Sequence, residues 1–332
     1  MNPSILNRRT RAIGLLSGGL DSTLAAKLML EQGIEVLAAN FTSPFCTCTP
    51  KKAGCAAVVT AVKQLGGIRL KQFALREEYL EMVRNPKHGY GSALNPCIDC
   101  RIMKIQKAGE YMQKVGADFL FTGEVLGQRP MSQHKWALAL IDRDSGFQGL
   151  ILRPLSARYL EPTLPETTGL VDRGKLLDLS GRSRKPQISL AAEKNIRDYP
   201  CPAGGCLLTD KNFASRLKDY FVYTDKPRMR DMPLLKIGRH FRLPGDDKII
   251  VARNEQECRQ LKNIFVEGSH LLEPLNFSGP TVLLQGSAIE AAIVKMLHYT
   301  NRLVPEPARI SHRYGGKNKV ISWKNNAGNK SR

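Results

Sequence analysis

Apolar residues recur along this chain with two periods, and the switch between them draws the fold. "RAIGLL" (11–16) is a short unbroken apolar run, predicted as a buried strand. From Ser22, "STLAAKLMLEQG" carries leucine and alanine on a helical repeat, with Gly33 as its stop. "IEVLAANFT" is predicted as a second strand, "CAAVVTAVKQLGG" as a helix and "IRLKQFAL" as a third strand. "CRIMKIQKAGEYMQKVG" follows as a helix and "ADFLFTGE" as a strand. Strand and helix in alternation predict a parallel sheet with helices on both faces. This rhythm fills residues 1–165. From about 154 to 200 the chain turns rich in Pro, Gly and charge ("RPLSARYLEPTLPETTGLVDRGKLLDLSGRSRKPQ") and is predicted as a connector with one short helix. We assign residues 166–230 to this connector, which also holds a second cysteine pair. Residues 231–332 alternate short strand-like runs ("KIGRHFRL", "DKIIVAR", "TVLLQG") with "NEQECRQLKNIF" and "AIEAAIVKMLHYTNR", the pattern of a small α+β domain.

Charge sharpens this picture. The 332 residues carry 50 Lys+Arg against 30 Asp+Glu, a net charge of +20. So large a surplus favours a polyanionic partner, nucleic acid before an anionic membrane, because no basic amphipathic helix is evident. From Arg309 onward there are seven basic residues and no acidic one, the composition of a disordered basic arm. No run reaches the length of a membrane span. "NRRTRAIGLL" is too soon broken by Gly18, Gly19 and Asp21 to read as a signal peptide, so a cytoplasmic protein is expected. Of the eight cysteines, tight spacing and a cytosolic setting point to metal or sulfur chemistry rather than disulfides.

Between the first strand and the first helix stands Ser17-Gly18-Gly19-Leu20-Asp21-Ser22. Glycines there let backbone N–H groups turn inward, and the helix adds its N-terminal dipole, so the segment suits an anion. Asp21 or Ser22 would serve equally as a simple helix cap. It is not a Walker loop, since no lysine follows the glycines. The whole string, S-G-G-x-D-S after a first parallel strand, resembles the PP-loop of ATP pyrophosphatases. The resemblance implies ATP, with Mg²⁺, and a phosphate site at Ser17, Gly18, Gly19, Asp21 and Ser22. It further implies adenine contacts at Phe41 and Thr42, and Thr122 and Gly123 of "FTGE" lining the same cleft. Strand carboxyl ends are where open sheets of this class bind ligands.

"NPCIDCRIMKI" sets Cys97 and Cys100 just before a helix, whose N-terminus favours thiolate. "CPAGGC" supplies Cys201 and Cys206. The two pairs together would suit structural zinc, though the wider second spacing is loose for it. N-P-x-x-x-C before a helix, then G-x-C in "GGCLLTDKNFASRL", resembles the tRNA 2-thiouridylases. That resemblance implies Cys100 and Cys206 as catalytic cysteines. Where that family commonly has Asp, this chain has Cys97. Three thiols on a PP-loop scaffold resemble the iron–sulfur-dependent tRNA thiolases, which implies Cys97, Cys100 and Cys206 as ligands of a [4Fe-4S] cluster, with Cys201 as the rival third ligand. Cys46, Cys48 and Cys55 near the ATP cleft are read evenly as adventitious thiols or as a second metal or relay site. Cys258 is expected to be buried on a helix.

"DDKIIVARNEQECRQLKNIFVEGSHLLEPLNFSGPTVLLQG" resembles the RNA-binding domain of the NFACT ribosome-quality-control proteins. Arg239, Lys248, Arg253, Lys317 and Lys319 are candidate RNA-phosphate contacts, as is Arg129 on the loop after "FTGE", with Gln128 and His134 beside it. His270 could touch RNA or be structural. The resemblances imply an ATP-dependent tRNA sulfurtransferase that adenylates a uridine carbonyl and replaces its oxygen with sulfur. Its partners would be tRNA and a sulfur donor, either free sulfide or a cysteine desulfurase. The alternatives are a PP-loop enzyme on a small molecule with structural zinc, and an RNA-binding accessory factor with a degenerate nucleotide site.

Overall fold

The computed structural model describes residues 8–46, 54–200, 205–264 and 268–324, the side chain of Cys55 excepted. The chain divides into two compact units, Met1–Ala214 and Ser215–Arg332.

The first unit is built on five strands: β1 (Arg11–Leu15), β2 (Glu35–Thr42), β3 (Arg69–Ala74), β4 (Phe119–Thr122) and β5 (Ile151–Leu152). They lie in the order β3-β2-β1-β4-β5, and every pair is parallel. Chain progression reverses between β1 and β4, which makes the carboxyl end of β1 the switch point where such sheets take ligands. The helices are α1 (Leu20–Glu31), α2 (Gly54–Gln64), α3 (Glu77–Arg84), α4 (Cys97–Val115), α5 (Lys135–Ser145), α6 (Leu164–Thr167) and α7 (Lys185–Glu193).

Alternation along β1 loads both faces of the sheet. Ala12 joins Leu20, Leu24, Met29, Val58, Phe119 and Phe121 in one buried cluster. Ile13 and Leu15 join Ile98, Ile105, Met112, Leu120 and Ile141 in the other. The Pro/Gly-rich stretch is more than a spacer: Leu155, Ala157, Val171, Leu176, Ala191 and Ile196 are all buried in the first cluster. It packs as short turns, α6 and α7 rather than long helices, since its prolines and glycines interrupt any longer run.

Helix α8 (Lys211–Val222) carries the chain from the first unit into the second. The second unit holds β6 (Arg239–Arg242), β7 (Lys248–Val251), α9 (Glu255–Asn263), β8 (His270–Pro274), β9 (Val282–Gln285), α10 (Ile289–His298), β10 (Ala308–Tyr314) and β11 (Lys317–Trp323). Its sheet, β11-β10-β8-β9-β7-β6, is antiparallel throughout. Ile249, Val251, Leu272 and Leu284 face Ile293 and Met296 of α10. On the other face, Ile250, Leu271 and Leu283 meet Leu261 of α9. The expected basic arm is, over its described part, a β-hairpin, with Ala308 paired to Trp323 and Tyr314 to Lys317. No helix among the described residues is long and apolar enough to cross a membrane.

Candidate active site

The phosphate-loop residues sit between β1 and α1. Gly19 is the N-cap residue, and its carbonyl accepts Ser22 Oγ and Thr23 Oγ1, both at 3.0 Å. Ser17 Oγ accepts the Gly19 N–H at 3.3 Å and lies 3.2 Å from Ser22 Oγ. The loop is therefore closed by its own serines, and glycine is required for its tightness. Gly18 has φ +79°, and a Cβ there would stand 2.4 Å from the Val58 nitrogen. Asn40 holds the loop entrance by donating to the Leu16 carbonyl at 2.8 Å.

Asp21 lies in the first turn of α1, partly buried. Its Oδ2 accepts Gln128 Nε2 at 3.2 Å, while Oδ1 is buried with no partner. Burial raises its pKa, opposed by Gln128 and by the charges of Arg184 and Arg129. Gly123 closes on this turn from β4: a Cβ added to it would be 2.4 Å from the Ser22 nitrogen. Next to Gly123, Glu124 is buried and ion-paired with Arg153 at 3.1 Å and Arg101 at 3.3 Å. Thr122 Oγ1 donates to Glu124 at 3.0 Å. Phe41 stacks on Phe73, centroids 5.0 Å apart, and Thr42 Oγ1 is 3.5 Å from the Phe73 carbonyl.

The cysteines gather beside the same sheet end. Phe45, fully buried, rests against Tyr79 and Phe213 and anchors the loop after β2. Leu207 N–H donates to the Phe45 carbonyl at 2.8 Å, and Leu94 N–H to the Leu208 carbonyl at 3.0 Å. These two bonds bring the segment of Cys206 between the β2 loop and the approach to α4. Cys46 and Cys206 form an isolated antiparallel bridge. Because the bond falls on flanking residues, they are a non-hydrogen-bonded pair, with Cα atoms about 4.5 Å apart and side chains on one face.

Cys100 is the common neighbour. Tyr79 Oη donates to its Sγ at 3.3 Å. Burial opposes its thiolate, but Lys104, Tyr79 and Arg101 together hold its pKa below the ordinary thiol value. Cys206 goes the other way: burial first, then the charges of Cys100 and Cys46, push it up to about 11. Cys97 is also raised by burial, opposed by Asn95 Nδ2 donating at 2.8 Å. One thiolate thus faces protonated partners. Cys201 and Cys48 lie outside the described residues. Among the described residues no group of three or more His, Cys, Asp or Glu side chains is arranged to hold a metal ion.

Sequence reading left Cys46 open and missed Tyr79, Lys104 and Arg184. Lys104 was accessible, one helical turn beyond Cys100. The others depend on tertiary packing.

The residues expected at RNA differ in exposure. Lys317 and Lys319 are exposed on β11. Arg239 lies over the Tyr299 ring at 4.6 Å. Lys248 is buried and donates to Asp219 at 2.7 Å, and Arg253 is paired with Glu257. Arg129 is near Asp21, Cys97 and Glu124 by charge, at the site rather than on the second unit. His270 stacks between His312 and Tyr314, centroids 5.0 and 4.0 Å away.

Comparison with known proteins agrees with this division. Residues 8–158 match the family model described as thiamine biosynthesis protein (ThiI), and residues 238–322 the NFACT protein RNA binding domain. The tRNA-specific 2-thiouridylase MnmA of Marinobacter nauticus is 26% identical over 230 residues, covering 64% of this chain and 54% of that protein. That of Streptococcus equi subsp. equi is 28% identical over 246 residues, covering 70% and 62%. The chain thus spans little more than half the length of these curated relatives. Among solved structures, a 4-thiouridine synthetase–RNA complex with bound ATP superposes with a TM-score of 0.41 at 20% identity, over 68% of this chain and 52% of that one. U34-tRNA thiolase NcsA from Methanococcus maripaludis with its [4Fe-4S] cluster gives 0.34 at 19% identity, over 79% and 84%. The chain is thus similar to the ThiI family over residues 8–158 and to the NFACT RNA-binding domain over residues 238–322.

Proposed function

We propose that this protein is an ATP-dependent tRNA sulfurtransferase, replacing a uridine carbonyl oxygen with sulfur. The observation that carries the reading is the meeting of a phosphate loop and a lowered-pKa thiol, Cys100, at one end of one sheet. The match of the second unit to an RNA-binding domain supports RNA over a small molecule as acceptor.

A uridine carbonyl is a poor electrophile because its oxygen leaves badly. The backbone N–H groups of the loop and the amino end of α1 would hold the triphosphate. Attack of the uridine oxygen on the α-phosphorus releases pyrophosphate and makes AMP the leaving group. The unpartnered Asp21 Oδ1 fits a Mg²⁺ ligand, and Mg²⁺ there would offset the charge on the departing pyrophosphate.

Cys206, charged with a sulfane sulfur by a donor, presents its terminal sulfur to the activated carbon. The new C–S bond expels AMP. The Cys100 thiolate then attacks the Sγ of Cys206, breaking the persulfide S–S bond and leaving its electron pair on the transferred sulfur. A Cys100–Cys206 disulfide results, and an external dithiol reduces it. A [4Fe-4S] cluster on Cys97, Cys100 and Cys206 or Cys201 remains the reading carried by the family resemblance, and no step here depends on it. Purified protein given ATP, Mg²⁺, tRNA and a persulfide donor should form AMP and a thiolated uridine together. AMP formed equally without tRNA would overturn the proposal.

A further inference from the structure

The stretch "GRSRK" (181–185), which sequence composition places in a connector, reaches the phosphate loop. Ser156 Oγ donates to the Leu179 carbonyl at 2.6 Å and accepts the Leu126 N–H at 3.0 Å. Gly181 N–H donates to the Leu126 carbonyl at 2.7 Å, and Leu126 and Ser180 form a parallel bridge. The segment is thereby fastened along the loop that carries Gln128 and Arg129. It ends at Arg184, the N-cap residue of α7.

Arg184 is partly buried, and its Nε is fully shielded with no hydrogen-bond partner. It lies within electrostatic reach of Asp21, whose Oδ1 is likewise buried and unpartnered. Arg129 reaches the same carboxylate. Two guanidinium groups thus attend one carboxylate, at a point where α1 begins and α7 begins. An unpartnered buried guanidinium N–H is costly unless a ligand satisfies it. The surplus positive charge and two helix amino ends specify an anion of more than one charge.

We infer that Arg184 is a binding residue for the β- and γ-phosphates of ATP, closing over the loop from the α7 side and retaining pyrophosphate as it departs. The inference rests on the ATP reading of the loop and adds a residue and a direction of closure to it. Arg129, more exposed, is left to face the tRNA.

Titration calorimetry of the full chain with Mg·ATP and with inorganic pyrophosphate tests this, alongside tRNA filter binding. Arg184→Gln should weaken both ATP and pyrophosphate by at least roughly tenfold, the value of a charge-assisted hydrogen bond. Arg184→Lys should recover part of that loss. Arg182→Gln, an exposed charge on the same segment, should change neither. Thermal melts of both Arg184 variants separate lost binding from lost folding, because the Lys form keeps the charge and buries a similar stem. ATP and pyrophosphate binding at wild-type strength in Arg184→Gln would overturn the inference. So would a loss confined to tRNA. Failure of the wild-type protein itself to bind ATP would overturn the loop reading, and this inference with it.

Discussion

Replacing Gly123 with alanine tests whether the turn after β4 and the first turn of α1 form one rigid site. The added methyl would stand 2.4 Å from the Ser22 nitrogen, 2.5 Å from its Cα and 2.6 Å from the Asp21 carbonyl carbon. Ordinary contact begins at 3.4 Å, so backbone must move by about 1 Å. All three atoms are main chain, so no side-chain rotation relieves the clash. Overpacking of this kind costs about 1–3 kcal/mol. In a unit of this size that lowers the melting temperature by roughly 2–10 °C. The displacement falls on the residues proposed to hold phosphate, and misplacing reacting groups by about 1 Å can cost ~100-fold in rate. Differential scanning calorimetry reads the first effect, and tRNA-dependent AMP formation at saturating ATP reads the second. The reasoning fails if Gly123→Ala melts with the wild type and makes AMP at an equal rate.

Three further outcomes are expected. Lys104→Gln should raise the pKa of Cys100 and slow its alkylation at neutral pH; an unchanged rate, followed by peptide mass spectrometry, would show that Lys104 does not hold the thiolate. Cys46 and Cys206 should crosslink when the protein is treated with a thiol oxidant, since their bridge places the Cα atoms in the disulfide range. Cys46→Ser should abolish that peptide linkage, and its absence from oxidised wild-type protein would contradict the pairing. Asp219, partly buried but bonded to Arg242 and Lys248, is held at about 2 by these cations. Its folded pKa lies below the unfolded value, so its contribution is full above pH 3.8 and is lost as pH falls through about 2. After allowing for solvent screening the loss is about 1 kcal/mol. Urea melts followed by Trp323 in a Trp136→Phe background should show it, and stability flat across that interval would refute it.

The first unit was legible because β1, β2 and β4 are largely buried and therefore read as apolar runs, whereas β3 is mostly exposed. Helix α3 escaped notice because "EEYLEMVR" buries only Tyr79, Leu80 and Val83, one narrow stripe on a polar segment. Helix α5 begins on exposed Lys135 and Trp136 and was taken with the preceding loop. The stretch 154–200 hid its contribution because single buried residues, such as Leu155 and Leu176, are spaced by turns and show no period. The hairpin of β10 and β11 looked like a loose arm because β11 is an edge strand, largely exposed and lined with lysine, as edge strands are when they resist pairing with other chains. The spacing of Cys97 and Cys100 is local and could be read directly. The approach of Cys46 to Cys206 is set by Phe45 and Leu207, far apart in sequence, and no local pattern announces it.

Thiolation of tRNA is the central claim, and the nucleosides of tRNA test it most directly. Total tRNA from a strain deleted for this gene should be digested and analysed by mass spectrometry beside the parent. One thiolated uridine should disappear, and should return with the wild-type gene but not with Cys100→Ser. An unchanged set of thiolated nucleosides in the deletion strain would contradict the account.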